Sequence, residues 1–380
     1  MIKLRGITWD HPRGYEPLNA SVRPYFEKYG VSVTWETRSL KDFGDVPINT
    51  LAKDYDLLII DHPHVGLAAK FDCLLPLDLY LERQMLNTLA DQSAGPSHAS
   101  YFYDGHQWAL AIDAAMQTSA YRADLLDGEL PDSWQDTISF GKALAESRRS
   151  IAIPLCSTDA ICSFLTVYAS LGGLLGQGDA FIDTAAGRQA LEILFELCQI
   201  SHPDSLNWNP IQLLDYMSQH GDVVYCPLTF SYSNYARTGY APHVVHFHDI
   251  PGIKGSLLGG AGIAVSTNCV SPEAACAYSA WICSAEIQRT LYLANGGQPG
   301  NSTVWNDPIA NEITHRFFAD SYQTLQHSYM RPRHSGFVTF QEGAGNLINT
   351  ALRRQQSVDD CLHRLLDLYQ SMLHTTTGAA

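Results

Sequence analysis

Residues 255–299 read GSLLGGAGIAVSTNCVSPEAACAYSAWICSAEIQRTLYLANGGQP, a small-residue loop, an apolar strand, a Ser-Pro-Glu helix start, a helix and a Gly-Gly turn in that order. The pattern predicts a strand at Gly262–Ser266 and a helix running to about Leu293. A chain with such a block must lay helices against a sheet. The N-terminal residues point the same way. Leu4–Thr8 predicts a short strand, and the spacing of Leu18, Val22, Tyr25, Phe26 and Tyr29 predicts a helix over Leu18–Tyr29. Val31–Glu36 alternates as a second strand. Asp56–Asp61, DLLIID, is a continuous apolar run closing on a polar residue, the mark of a central parallel strand buried on both faces. The fold class is therefore α/β. Ligands of such sheets collect where strands end at their carboxyl edge, so the polar residues just after each strand are the ones to follow.

Further along, Gln107–Ile112 and Gln117–Leu126 stand as two segments, followed by a helix at Asp132–Ala145 and a strand at Ser150–Leu155. Helices at Ile161–Leu171 and Gly187–Leu197, strands at Asp222–Cys226 and His243–Ile250, and helices at Val338–Leu352 and Ser357–Met372 complete the reading. His374–Ala380 reads as a flexible tail. No repeat of fixed period interrupts this succession.

Its 380 residues suffice for two parts of ordinary domain size, each with its own core. A net charge of −15 with scattered Lys and Arg repels a phosphate backbone, which excludes nucleic acid as a partner. No apolar run reaches the roughly 18–20 residues that span a bilayer, so membrane insertion is not expected. The sequence begins Met1-Ile2-Lys3 without an apolar signal core, which points to the cytoplasm, or to the periplasm if a signal peptide has been removed. The nine cysteines (Cys73, Cys156, Cys162, Cys198, Cys226, Cys269, Cys276, Cys283 and Cys361) form no CxxC pair and favour a reducing compartment. Their spacing carries no metal signature, and neither a metal nor a cofactor is expected.

The first strand-to-helix loop, Trp9-Asp10-His11-Pro12-Arg13-Gly14-Tyr15, is dense in groups that stack or hydrogen-bond. Trp9 or Tyr15 can stack on a flat or sugar-like ligand while Asp10, His11 and Arg13 orient it. The alternative is a capped loop with Trp9 packed between strand and helix. Asp61-His62-Pro63-His64 follows the buried strand directly. Asp61 and His62 can hydrogen-bond a ligand, Asp61 can cap a helix, and a metal is the lesser option. Ser157-Thr158-Asp159 fits a ligand contact and a helix cap equally well. His246 and His248 share a strand face, where packing is favoured over a metal pair.

Several blocks taken together, SPEAA with Ser284-Ala285-Glu286-Ile287-Gln288, Gly296-Gly297-Gln298-Pro299, LLPLDLYL, HQWALAIDAAM, SAYRADLL, Arg331-Pro332 and Ser357–Leu362, resemble family 1 extracellular solute-binding proteins of ABC importers, the sugar-type, maltose-binding-protein-like branch. The resemblance covers about residues 3–372. Tyr121-Arg122 departs from the family's Tyr-Asn. It implies a type II periplasmic-binding-protein-like fold, two α/β lobes joined by a multi-crossing hinge with the ligand cleft between them. Lobe one would be 1–111 plus 260–306, lobe two 114–257 plus 307–373, with crossings near Ile112-Asp113, Leu258-Gly259 and Val304–Asp307. It further implies ligand-facing roles for Asp113 at the first crossing and for Phe230 and Tyr232 as stacking platforms, core packing being their alternative. Gly259, Gly260 and Ala261 would let backbone approach the ligand, and Gly297, Gln298, Asn301 and Ser302 would line the cleft from the turn. Arg331 matches the family's arginine, whose commonest job is structural.

The function implied is capture of a small polar molecule, by default a carbohydrate or polyol, with hinge closure and with an ABC permease as partner; a monomer is expected. Arg13, His11 and His62 suit a carboxylate or phosphate equally, which keeps an anion receptor open. A thiaminase-like enzyme on the same fold would need a cysteine at the hinge, where the chain has Ala111-Ile112-Asp113-Ala114-Ala115. No catalytic residue is assigned. A ferric site of Tyr232, Tyr235, His11 and Asp61 is a minor option.

Overall fold

The computed structural model describes residues 1–126, 128–175, 180–252 and 255–377. Strand β1 (Ile2–Trp9) leads into helix α1 (Pro12–Tyr29), which stops where Gly30 adopts φ 69°, a left-handed turn natural to glycine. β2 (Val31–Arg38), the short helix α2 (Leu40–Asp45) and β3 (Leu57–Ile60) follow. Next come β4 (Leu110–Tyr121), β5 (Ser150–Ile151), α3 (Ser157–Ser170), β6 (Val223–Phe230), β7 (His246–His248) and β8 (Leu258–Val265). Helices α4 (Pro272–Ile282), α5 (Phe337–Arg353) and α6 (Val358–Thr377) are the principal later elements.

The strand order is β2-β1-β3-β8-β4-β6-β5, with β7 also against β4. β3 is central and fully buried, as its apolar run predicts. It is parallel to β1 but antiparallel to β8. Alternate β3 residues enter different cores: Leu57 and Ile59 join Leu4, Trp9 and Tyr278, whereas Leu58 and Ile60 join Ile7 and Ala264. Both faces are thus covered, which is why the run contains no polar residue. A third core gathers Phe164, Leu191, Tyr225, Phe340 and Leu365 around α3, α5 and α6, and a fourth holds Ala114, Met116, Phe247 and Trp305.

Some elements differ from the sequence reading. The two segments expected around residues 107–126 are largely one strand, β4. It pairs with β8 over its first half and with β6 and β7 over its second. Small Ala114 and Ala115 sit opposite Gly260 and Gly259, so the strand runs past this point without a break. The strand expected to Leu155 ends at Ile151, because Pro154 has no N–H and Ile153 and Leu155 donate instead to Ser205. The helix expected to Leu293 stops at Ile282 and resumes through a π-helical turn at Gln288–Tyr292. There the Gln288 side chain donates to Ile282 O and accepts from Gly300 N. β7 is only three residues of the strand expected at His243–Ile250. α6 runs on through Thr377 into the segment expected as a tail, and residues 378–380 lie outside those described. No described helix is long and apolar enough to cross a membrane.

Candidate ligand cavity

The carboxyl end of β1 delivers Trp9 into a half-enclosed cavity of about 130 Å³, room for several water molecules. Trp9 is only 4% exposed. Its ring lies 5.3 Å from Phe43 of α2, and a Cβ on Gly14 would strike the indole at 2.5 Å. Backbone and aromatic ring thus pin the side chain on one face. Its Nε1–H is buried without a hydrogen-bond partner, a donor still to be satisfied.

Two residues after Trp9 the same loop becomes a support. His11 caps α1, its Nδ1 accepting from Arg13 N at 3.1 Å, and its Nε2 lies 3.3 Å from the Tyr240 hydroxyl. Burial, with help from the nearby Arg13, pulls the His11 pKa down to about 3, so the ring is neutral and can act as an acceptor. Arg13 is the pivot. Its Nε donates to Asp113 Oδ2 at 2.8 Å, a second nitrogen donates to Asp113 Oδ1, and a third donates to Ser231 O at 2.6 Å. The guanidinium lies over the Tyr232 ring, 4.6 Å from its centre. Burial opposes this charge, yet Asp113 outweighs it and holds Arg13 above its ordinary value.

A second pair faces the first. Arg331 donates to both oxygens of Asp61, at 2.7 and 2.6 Å, and to Gln341 Oε1 at 3.1 Å. Burial tends to raise the Asp61 pKa, but Arg331 and the His62 N–H hold it below the ordinary carboxylate range. His62 stands behind. Its Nε2 accepts from Arg331 N at 3.2 Å, which places its proton on Nδ1, 3.3 Å from Asp61 Oδ1. Burial followed by the Arg331 charge lowers its pKa to about 4.

The floor is glycine by necessity. A Cβ on Gly259 would meet the Phe230 ring at 2.7 Å, and Gly260 has φ 94° with Asp113 O at 2.5 Å from its absent Cβ. The remaining wall comes from the start of α3, where Thr158, Asp159 and Cys162 border the space. Asp159 has no cationic hydrogen-bond partner among the described residues. Its Oδ2 accepts from the Cys156 thiol at 3.1 Å, and burial raises its pKa to about 7 against the opposing thiol contact and the Arg331 charge.

Of the residues singled out in the sequence, Trp9, Arg13, Asp61, Asp113, Phe230, Tyr232, Gly259, Gly260 and Arg331 border the cavity. Asp10 is exposed, and Tyr15, His11 and His62 lie off the wall. Gln298 is a strut: it accepts from Ser233 N and donates to Ala114 O and Ser231 Oγ. Asn301 caps a short helix and donates to Gln92. Ligand-facing places expected for these two by resemblance are thus taken by backbone support. The Tyr235 hydroxyl donates to Asp215 at 2.7 Å, which occupies one arm of the phenolate option. Among the described residues no group of three or more His, Cys, Asp or Glu is placed to hold a metal ion. Leu40 and Phe43, just after β2, also border the cavity and were missed, because a reading that follows polar residues past a strand's end passes over an apolar pair.

Comparison with known proteins fits this architecture. An ABC transporter solute-binding protein from Thermotoga lettingae bound with α-D-tagatose superposes with a TM-score of 0.84 at 16% identity, covering 98% of this chain and 100% of that one. A ribitol complex from Agrobacterium radiobacter K84 gives 0.84 at 18% identity and covers 98% of each chain. Maltose-bound MalE3 of T. maritima gives 0.84 at 17%, covering 99% and 100%. These likenesses show the two-lobe periplasmic-binding-protein fold. A curated relative from Sinorhizobium fredii, a probable amino-acid ABC transporter periplasmic-binding protein, is 26% identical over 197 residues, 50% of this chain and 45% of that one. The chain therefore spans under half of that relative's length. Residues 20–316 match the family described as bacterial extracellular solute-binding protein, and the chain belongs to that family.

Proposed function

We propose that this protein captures a small polar molecule, a carbohydrate or polyol, in the cavity bounded by Trp9, Phe230, Gly259 and Arg331, and that it is the binding component of an ABC importer. The observation that carries the reading is the pairing of both arginines. Arg13 is already neutralised by the buried Asp113 and Arg331 by the half-buried Asp61, so neither offers free charge to a carboxylate or phosphate. Aromatic faces and a glycine floor suit a compact, hydroxyl-bearing ligand better than an anion. The sugar and polyol complexes among the similar structures point the same way.

Two lobes, 1–111 plus 260–306 and 114–257 plus 307–373, would close on the ligand about crossings near Asp113, Gly259 and Val304. Support comes from three of the four cores: two draw on residues 4–112 and 261–292 and one on residues 134–257 and 337–369, while the fourth joins Ala94, Leu293 and Trp305 to Leu213, Phe247 and Phe317 across the division. Asp61 and Arg331 belong to different lobes in this division, so their pair would latch the closed form. The ligand leaves unchanged, since the family and its relatives are binding proteins. The test is calorimetric titration with monosaccharides, polyols and small carboxylates. Selective binding of the neutral compounds, weakened at least tenfold in Trp9→Phe, is expected; binding of carboxylates alone would overturn the reading. The phenylalanine keeps the ring contact with Phe43 and removes only the unsatisfied donor.

A further inference from the structure

We propose that the ligand carries a protonated amine as well as oxygen acceptors, and that Asp159 is the residue that selects the amine. This rests on the cavity being the ligand site. The charged residues on its wall are Arg13, Arg331, Asp61, Asp113 and Asp159. Arg13 is matched by Asp113 and Arg331 by Asp61, which leaves Asp159 as the one carboxylate among them without an ion-pair partner among the described residues, with only the more distant Arg331 charge acting on it. It is 6% exposed, its Oδ2 is held by the Cys156 thiol, and Oδ1 accepts from no described group. A buried carboxylate in this state is costly, and an ammonium group relieves the cost where a neutral hydroxyl only reduces it. The rest of the wall agrees. Trp9, Phe43, Phe230 and Tyr232 offer aromatic rings, whose faces attract cations and carry no charge of their own.

The ligand's acceptors are specified by a second observation. Trp9 Nε1 and Arg331 Nε are buried donors without hydrogen-bond partners, both on residues of this wall. A molecule combining an ammonium with hydroxyl or carboxyl oxygens satisfies all three groups; an aminopolyol and an amino acid share that chemistry.

The test uses pairs differing only by amine for hydroxyl: sorbitol with 1-amino-1-deoxysorbitol, and lactate with alanine, titrated calorimetrically into the full chain. At pH 8 the amine of at least one pair should bind at least tenfold more tightly than its partner. In Asp159→Asn that preference should shrink to within about twofold, with circular dichroism confirming the fold. A second readout is the pH dependence: the wild-type amine affinity should rise severalfold from pH 6 to 8, while a neutral partner's stays level. An alkylamine keeps its proton across that range. Around Asp159, Cys156 and Cys162 on its own helix and Tyr232 beyond β6 are all pushed up by burial, Asp61 beyond β3 is held down by Arg331, and Arg331 is raised by Asp61. Across the cavity Asp113 is also pushed up by burial, against the Arg13 charge, so the rise is compared with that of Asp159→Asn, in which it should vanish. Tighter binding of the hydroxyl member, or a preference that survives Asp159→Asn, overturns the proposal and leaves the polyol reading standing. Failure of every compound to bind overturns both.

Discussion

At the scale of single residues, the cavity is a set of solved and unsolved electrostatic problems. Arg13 and Asp113 solve each other: both are buried, and the fork of the guanidinium uses both carboxylate oxygens. Arg13→Met should therefore cost about 3–5 kcal/mol, because it strands a buried charge, and urea unfolding would show it. Pairing it with Asp113→Leu should recover part of that loss. Asp159 is the unsolved case, and its sign can be worked out. Its pKa near 7 in the folded chain exceeds the ordinary carboxylate value of about 3.9. Between those values the folded state keeps a proton that the unfolded state has lost, so stability declines as pH rises from about 4 to 7 and then levels. Asp159→Asn should remove the decline. The variant should match wild type at pH 4 and exceed it at pH 8 by on the order of 1–3 kcal/mol, measured by urea titration at both.

At the scale of elements, the glycines of β8 and the aromatic end of β6 form one device. Phe230 lies where a side chain on Gly259 would be, so Gly259→Ala should cost about 1–3 kcal/mol and weaken binding together, seen in melting curves and titrations. The resemblance had Gly259 and Gly260 admit a ligand; the approach of Phe230 to Gly259 was not readable, because it depends on a strand about thirty residues away. β1, α1, β2 and β3 were readable, since their periodicities are clean. The single strand β4 was not, because its continuity depends on pairing with β8, which lies more than a hundred residues away. Nor was the early end of β5, decided by Ser205 competing for the N–H groups of Ile153 and Leu155. At the site, loop residues such as Trp9 and Arg13 announced themselves by position after a strand. Gln298 and Asn301 could not be placed in advance, because an amide serves a ligand and a backbone equally well, and both hydrogen-bond backbone here. Asp159 was undecided, since a carboxylate in a helix's first turn is ordinary until its lack of an ion-pair partner among the described residues is visible.

At the scale of the whole molecule, two families of cores and a continuous path of strands place the cavity where β1, β3, β6 and β8 meet the start of α3. The nine cysteines are all free thiols, seven of them buried by class, so denatured protein purified without oxidant should titrate nine thiols with a disulfide reagent. Under the proposed lobe division the Asp61–Arg331 pair would latch the closed form in the unbound chain as well. Asp61→Asn should shift the solution scattering profile toward a larger radius of gyration without ligand, and ligand should reverse the change. The central claim is tested most directly by a crystal structure with the tightest-binding member of a sugar, polyol and aminopolyol panel. The account predicts ligand density between Trp9, Phe230, Asp159 and Arg331, within hydrogen-bond reach of Trp9 Nε1. Density for that ligand anywhere else, with this cavity holding only water, would contradict it.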